Sequence, residues 1–116
     1  MKFTRETSGA LTIQAVSTTA ITINGESYSE TVAVTPESVV TGWDGRPVDE
    51  LTDTDFDSLL ESSPELMLVG TGETGLFPPR ELMFAFARRG IGLECMDTAA
   101  AARTFNVLAT EGRQVV

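Results

Sequence analysis

The apolar run Leu66-Met67-Leu68-Val69, followed at once by Gly70-Thr71-Gly72-Glu73-Thr74-Gly75, constrains this chain more than any other stretch. Four continuous apolar residues are too few for a helix and too uniform for a half-exposed strand. They predict a strand in the interior of a sheet. The glycines then permit a tight exit with positive φ. Pro78-Pro79 set up a helix, because the N–H that Pro79 lacks would have no intrahelical partner there. Leu82, Met83, Phe86 and Ala87 are its expected buried face, Arg88-Arg89 complement the negative C-terminal dipole, and Gly90 ends it. Ile91 to Met96 is the next strand, which makes a parallel, right-handed βαβ unit.

Thr98 is placed to cap a further helix, with Ala102, Phe105, Leu108 and Ala109 inward and Gly112 past its end. Gln114-Val115-Val116 begins another strand. Upstream of the βαβ unit the pattern is β and antiparallel. Leu11, Ile13 and Ala15 alternate, as do Ile21 and Ile23, and Asn24-Gly25 is a hairpin turn whose residues both tolerate positive φ. Tyr28, Glu30, Val32 and Val34 continue a return strand, Pro36 breaks it, and Val39 to Trp43 reads as another short strand. Thr52 starts a helix over 53–62, with Asp53 and Asp55 in its first turn and Phe56, Leu59 and Leu60 as a narrow apolar stripe. The fold class is therefore α/β: a three-layer single domain over 9–116, with a central mixed sheet, a βαβ unit and an N-terminal antiparallel β layer. Residues 1–8 are polar and expected to be flexible.

Composition then removes function classes. Seventeen acidic residues against eight basic ones give a net charge of −9, with Asp49, Glu50, Asp53, Asp55, Asp57, Glu61 and Glu65 close together. Nucleic acid as a partner is disfavoured, because Lys and Arg must neutralise phosphate. There is no His, the commonest general base and metal ligand, and a lone Cys95 makes neither an internal disulfide nor a cysteine zinc site. No metal and no cofactor is expected. No apolar stretch reaches the roughly 18 residues of a membrane span, so direct membrane insertion is not expected. The N-terminus lacks a signal-peptide pattern, and the expectation is a cytoplasmic protein.

Gly70-x-Gly72-x-x-Gly75 matches a dinucleotide fingerprint, and Asp97 ends the next strand where a ribose-binding acid would stand. Three physical points oppose that assignment. Pro78 and Pro79 delay the helix that should open inside the motif and remove two donors. Glu73 and Glu81 add negative charge where phosphate would lie. One βαβ unit in 116 residues is half of what a dinucleotide requires.

Ligands of open α/β sheets sit outside the carboxyl ends of the parallel strands, here Gly70-Thr71-Gly72 and Met96-Asp97-Thr98. The helix opening at Thr98 offers free N–H groups among small side chains, and Arg103, Asn106 and Thr110 form a polar stripe along it. Gly70, Thr71, Gly72, Thr98, Arg103 and Asn106 are the ligand-binding candidates. The polar stripe is equally the ordinary outer face of an amphipathic helix. Trp43 and Phe77 are candidate partner contacts, since aromatic side chains dominate binding hot spots; core or rim packing serves equally well for Trp43. No catalytic constellation is present, because no Ser or Cys has a nearby His and no acid pair has a chemistry-specific spacing.

Gly70-Thr71-Gly72, the stretch from Gly90-Ile91 through Glu94, Met96 and Thr98, and Ala101-Ala102-Arg103-Thr104-x-Asn106-x-Leu108-x-x-Glu111-x-Arg113-x-Val115 carry a resemblance to one family. It resembles the small domain-of-unknown-function family that includes the mitochondrial respiratory complex I assembly factor three and bacterial and archaeal relatives. The likeness spans roughly residues 10 to 116 and takes in Trp43 and Leu51-Thr52. Relatives continue an apolar strand beyond the position of Val116. The resemblance implies a three-layer α/β fold and a role as an assembly factor acting by protein contacts, and supplies no catalytic residue. The leading expectation is thus a binding or assembly-type module with protein partners. The alternative is a small-molecule or anion-binding protein, enzyme included, using the loops at Thr71 and Thr98. A homo-oligomer through a free edge of the N-terminal sheet is a third class.

Overall fold

A computed structural model describes residues 11–43, 47–72 and 76–116. The first residues, 1–10, thus lie outside it, as do Asp44, Glu73 and Gly75. The parallel unit forms as its residues require. Strand β6 (Leu66–Gly70) pairs in parallel with β7 (Gly92–Met96), and helix α1 (Arg80–Arg88) joins them. On its other edge β6 takes the chain's last residues, also in parallel: the N–H of Glu65 donates to Gln114 O at 2.8 Å, and that of Leu68 to Val116 O at 2.8 Å. Helix α2 (Thr98–Thr110) links β7 to that last segment.

Alternation along β6 sends its side chains to two different cores, which makes the unit three layers thick. Met67 and Val69 join Leu93, Cys95, Leu82 and Phe86 on the α1 side, together with Leu51, Phe56, Leu59 and Val116. Leu66 and Leu68 face Phe105, Ala109 and Val115 on the α2 side. Burial, with the Glu94 charge beside it, raises the Cys95 thiol above its ordinary pKa, so it stands as an inert protonated group.

Antiparallel strands β1 (Ile13–Val16), β2 (Ile21–Ile23) and β3 (Glu26–Tyr28) form a three-stranded meander around the Asn24-Gly25 turn, where both φ are positive. A bulge between Ile13 and Ala15 shifts the pairing, so Val16 is half-buried and Ala15 exposed, against the simple alternation. The expected long return strand is broken: Ala33–Val34 (β4) instead pairs with Val39–Val40 (β5) as a separate hairpin. Strand β1 packs on α2, adding the antiparallel layer.

Two further expectations need correcting. Segment 53–62 is not one α-helix but successive 3-10 turns, Asp53–Phe56 and Leu60–Ser62, closed by i→i−3 bonds such as Leu59 N to Phe56 O at 2.9 Å. Asp, Thr and Ser are weak helix formers, so although a capping box opens the segment, with the Thr52 N–H held by Asp55 Oδ2 at 2.9 Å, it does not propagate as an α-helix. Helix α1 buries Leu82, Ala85 and Phe86 and leaves Met83 and Ala87 exposed. Residues 82–87 are all apolar, so their spacing alone left the buried face open.

Arg113 clamps the C-terminal segment by donating from Nε to Glu65 Oε1 at 2.8 Å. That bond, with a weaker one from the Gln114 N–H, lowers the Glu65 carboxyl below its ordinary value. A depressed carboxylate stabilises above the unfolded-state pKa, and the gain is lost as pH falls through the lower folded-state value. Both side chains are about half exposed, so the effect is small. In denaturant titrations, Glu65→Gln is expected to be slightly less stable than the parent at neutral pH and to converge with it in acid. A gap that persists unchanged in acid would mean another cause. Among the described residues no helix is long and apolar enough to cross a membrane.

Candidate functional site

The two carboxyl ends of β6 and β7 do meet, and they meet by bonding to each other. The Gly72 N–H donates to Thr98 Oγ1 at 2.8 Å, and the Thr98 N–H donates back to Gly72 O at 3.0 Å. Thr71 donates from both its N–H (2.9 Å) and its hydroxyl (3.1 Å) to Met96 O. A Cβ on Gly70 would stand 3.1 Å from the Thr98 Cα, tighter than ordinary van der Waals contact, so glycine suits the close approach of the two loops. Gly72 has φ +81°, a conformation that L side chains resist. Glu73, Thr74 and Gly75, the rest of the fingerprint, lie outside the described residues.

The N-terminus of α2 carries its own anion. Asp97, not Thr98, is the capping residue; its Oδ1 accepts from the Ala100 N–H at 2.8 Å. A carboxylate already answers the dipole and one of the free donors at the place suited to an external anion. Removing it gives a checkable cost. Asp97→Ala is expected to lower stability by about 1 kcal/mol, read from denaturant midpoints; an unchanged midpoint would show that the cap carries nothing.

Asn106 is the side chain that ties the antiparallel layer to α2. Its Oδ1 accepts from the Ile13 N–H at 2.9 Å and its Nδ2 donates to Ile13 O at 2.8 Å, so one amide replaces a strand neighbour for β1. Arg103 is exposed and makes no ion pair with a described residue. A cleft of about 1230 Å³ lies between the meander and the β6–α2 layer, with Val16, Tyr28, Gly70, Gly72, Asp97 and Thr98 among its lining; Arg103 and Asn106 do not line it. Of the six ligand candidates, then, Gly70, Thr71, Gly72 and Thr98 are brought together, while Arg103 and Asn106 stand apart from them.

The two aromatic candidates part company. Trp43 is half-buried, tilted against Phe56 at 5.4 Å, and donates from Nε1 to Asp55 O at 2.9 Å, so it packs the 3-10 segment onto the core. Phe77 is exposed ahead of α1, and Leu76, Met83 and Phe84 are exposed with it. Sequence reasoning missed Phe84; its four-residue spacing from Arg80 and Arg88 was the available signal. Among the described residues no group of three or more Asp, Glu or Cys side chains could hold a metal ion.

These features define a small α/β protein whose parallel βαβ unit carries a helix on each face and an antiparallel layer over one of them. The chain belongs to the DUF498/DUF598 family of proteins of unknown function, whose model matches residues 13–116. It is 34% identical to human NADH dehydrogenase (ubiquinone) 1 alpha subcomplex assembly factor 3 over 111 residues, 94% of this chain and 60% of that protein. It is 38% identical to the 13 kDa major membrane protein of Francisella tularensis over 60 residues, 52% of this chain and 49% of that one. The chain therefore spans about half to three fifths of the length of these curated relatives. Among solved structures, a Bordetella parapertussis protein superposes with a TM-score of 0.81 at 34% identity, covering 93% of this chain and 92% of that one.

Proposed function

We propose that this chain is a non-enzymatic binding module that acts through protein contacts, in the manner of an assembly factor. The observation that carries the reading is how side chains at the loop convergence are used. Thr71, Thr98 and Asp97 each hold backbone of the same chain, and Asn106 holds β1. A substrate-binding centre needs polar groups turned toward the ligand; here those groups close the fold. The likeness to an assembly factor supports the same reading by analogy. The reading takes the chain as a cytoplasmic protein.

The cleft favours a second reading, a small-molecule or anion-binding protein using the loops at Thr71 and Thr98. A ligand-observed NMR screen of metabolites and inorganic anions, with the cleft-lining substitution Tyr28→Ala as control, separates the two. The protein-contact reading expects no saturable binder. Saturable binding that is lost in Tyr28→Ala would replace it with the second.

A further inference from the structure

Apolar exposure in this molecule is concentrated. Of the five exposed large apolar side chains among the described residues, Leu76 (50%), Phe77 (69%), Met83 (40%) and Phe84 (55%) lie within 76–84; Val107 on α2 is the fifth. Because α1 buries Leu82, Ala85 and Phe86, its outward residues are Arg80, Met83, Phe84, Ala87 and Arg88. Spacing of i, i+4 and i+8 sets Arg80, Phe84 and Arg88 in one row. Arg80 and Arg88 make no ion pair with a described residue, whereas the adjacent Arg89 lies 3.9 Å from Asp57. Glu81, also exposed, is the single acid of the helix. Three of the eight basic residues of a chain of net charge −9 thus accompany its main apolar strip.

We infer that this face docks an acidic amphipathic helix of a partner protein, which seats apolar side chains on Phe77, Met83 and Phe84 and carboxylates on Arg80 and Arg88. The inference rests on the protein-contact reading and names its surface. Charge complementarity selects the occupant. A second copy packed antiparallel along α1 would set Arg80 against Arg88 of the other molecule, and parallel packing would set each arginine against itself. An anionic lipid plane would face the whole of a chain of net charge −9, which Arg80 and Arg88 do not offset, whereas a helix about 10 Å wide seats on α1 alone.

The test places the photoreactive residue p-benzoyl-phenylalanine at Phe84, or at Val107 as control, in the full chain expressed in its native cells. The expected result is one major protein adduct from position 84, absent from 107, whose crosslinked peptide carries Asp or Glu alternating with apolar residues at helical spacing. Combining Arg80→Glu with Arg88→Glu should cut that adduct roughly tenfold or more at an unchanged thermal midpoint, both arginines being exposed. High salt should weaken it severalfold. An adduct to a second copy, to lipid or to a peptide without acids overturns the inference. So does the absence of any adduct, or one indifferent to the charge reversal. A protein adduct from 107 alone would discard this surface and leave the protein-contact reading standing. No adduct from either position, together with metabolite turnover, would end both.

Discussion

Phe86→Ala is expected to cost about 3–5 kcal/mol, a large fraction of the 5–15 kcal/mol that holds a typical domain together. Phe86 is 0% exposed and sits edge-on to Phe56, ring centres 5.4 Å apart and planes at 89°. Phe56 in turn stacks against Trp43, so one ring joins α1 to the 3-10 segment and to the loop before it. Met67, Leu82 and Leu93 close around the same cluster. Truncation to Ala removes the ring's transfer free energy and leaves a cavity that two strands and a helix cannot collapse into. Urea unfolding should show a much lower midpoint with a similar m-value. Phe86→Leu, which keeps most of the volume, should lose clearly less. Equal losses for the two variants would mean that the edge-on ring pair, rather than the filled space, carries the stability.

Asn106→Ala should cost roughly 2 kcal/mol, since it removes two bonds worth about 1 kcal/mol each and leaves both backbone groups of Ile13 without that partner. The loss has a location. Strand β1 is held on α2 through that amide, so hydrogen exchange at Ile13 and its neighbours should accelerate more than at β6. Asn106→Asp is the sharper variant. It keeps an acceptor for the Ile13 N–H but turns a carboxylate oxygen toward the Ile13 carbonyl, which had received a donor. Exchange that speeds uniformly across the molecule would show that Asn106 stabilises the whole fold and does not specifically dock the antiparallel layer.

Much of this architecture is legible in the sequence where one physical requirement admits one solution. A continuous apolar tetrad before a glycine exit gives a buried parallel strand; Asn24-Gly25 gives the hairpin; Gly90 and Gly112, at φ +74° and +80°, end the helices as expected. It fails where two solutions fit. Phe56, Leu59 and Leu60 suit an α-helix and a 3-10 run alike, and the weak helix propensity of the Asp, Thr and Ser residues around them leaves the tighter one. The phase of α1 is hidden because residues 82–87 are apolar all round. The site was legible as a place, not as a use. The loops at Gly72 and Thr98 converge, but that they bond to each other depends on a Cα approach only three dimensions reveal. Asn106 belonged to a polar stripe; its bonds to Ile13, 93 positions away, leave no local signal.

The central claim is a division of labour: the loops at Gly72 and Thr98 hold the fold, while contact with other proteins is made elsewhere, on α1. The measurement that tests it most directly compares Thr98→Val with Phe84→Ser, scoring for each the stability of the chain and the protein it retains after crosslinking in native cells. The account predicts that Thr98→Val, which strips the acceptor from the Gly72 N–H, lowers stability by about 1 kcal/mol yet leaves retention per folded molecule unchanged. Phe84→Ser should keep its stability and lose the retained protein. The opposite pattern, retention lost at Thr98 and intact at Phe84, would contradict the account and return function to the loops.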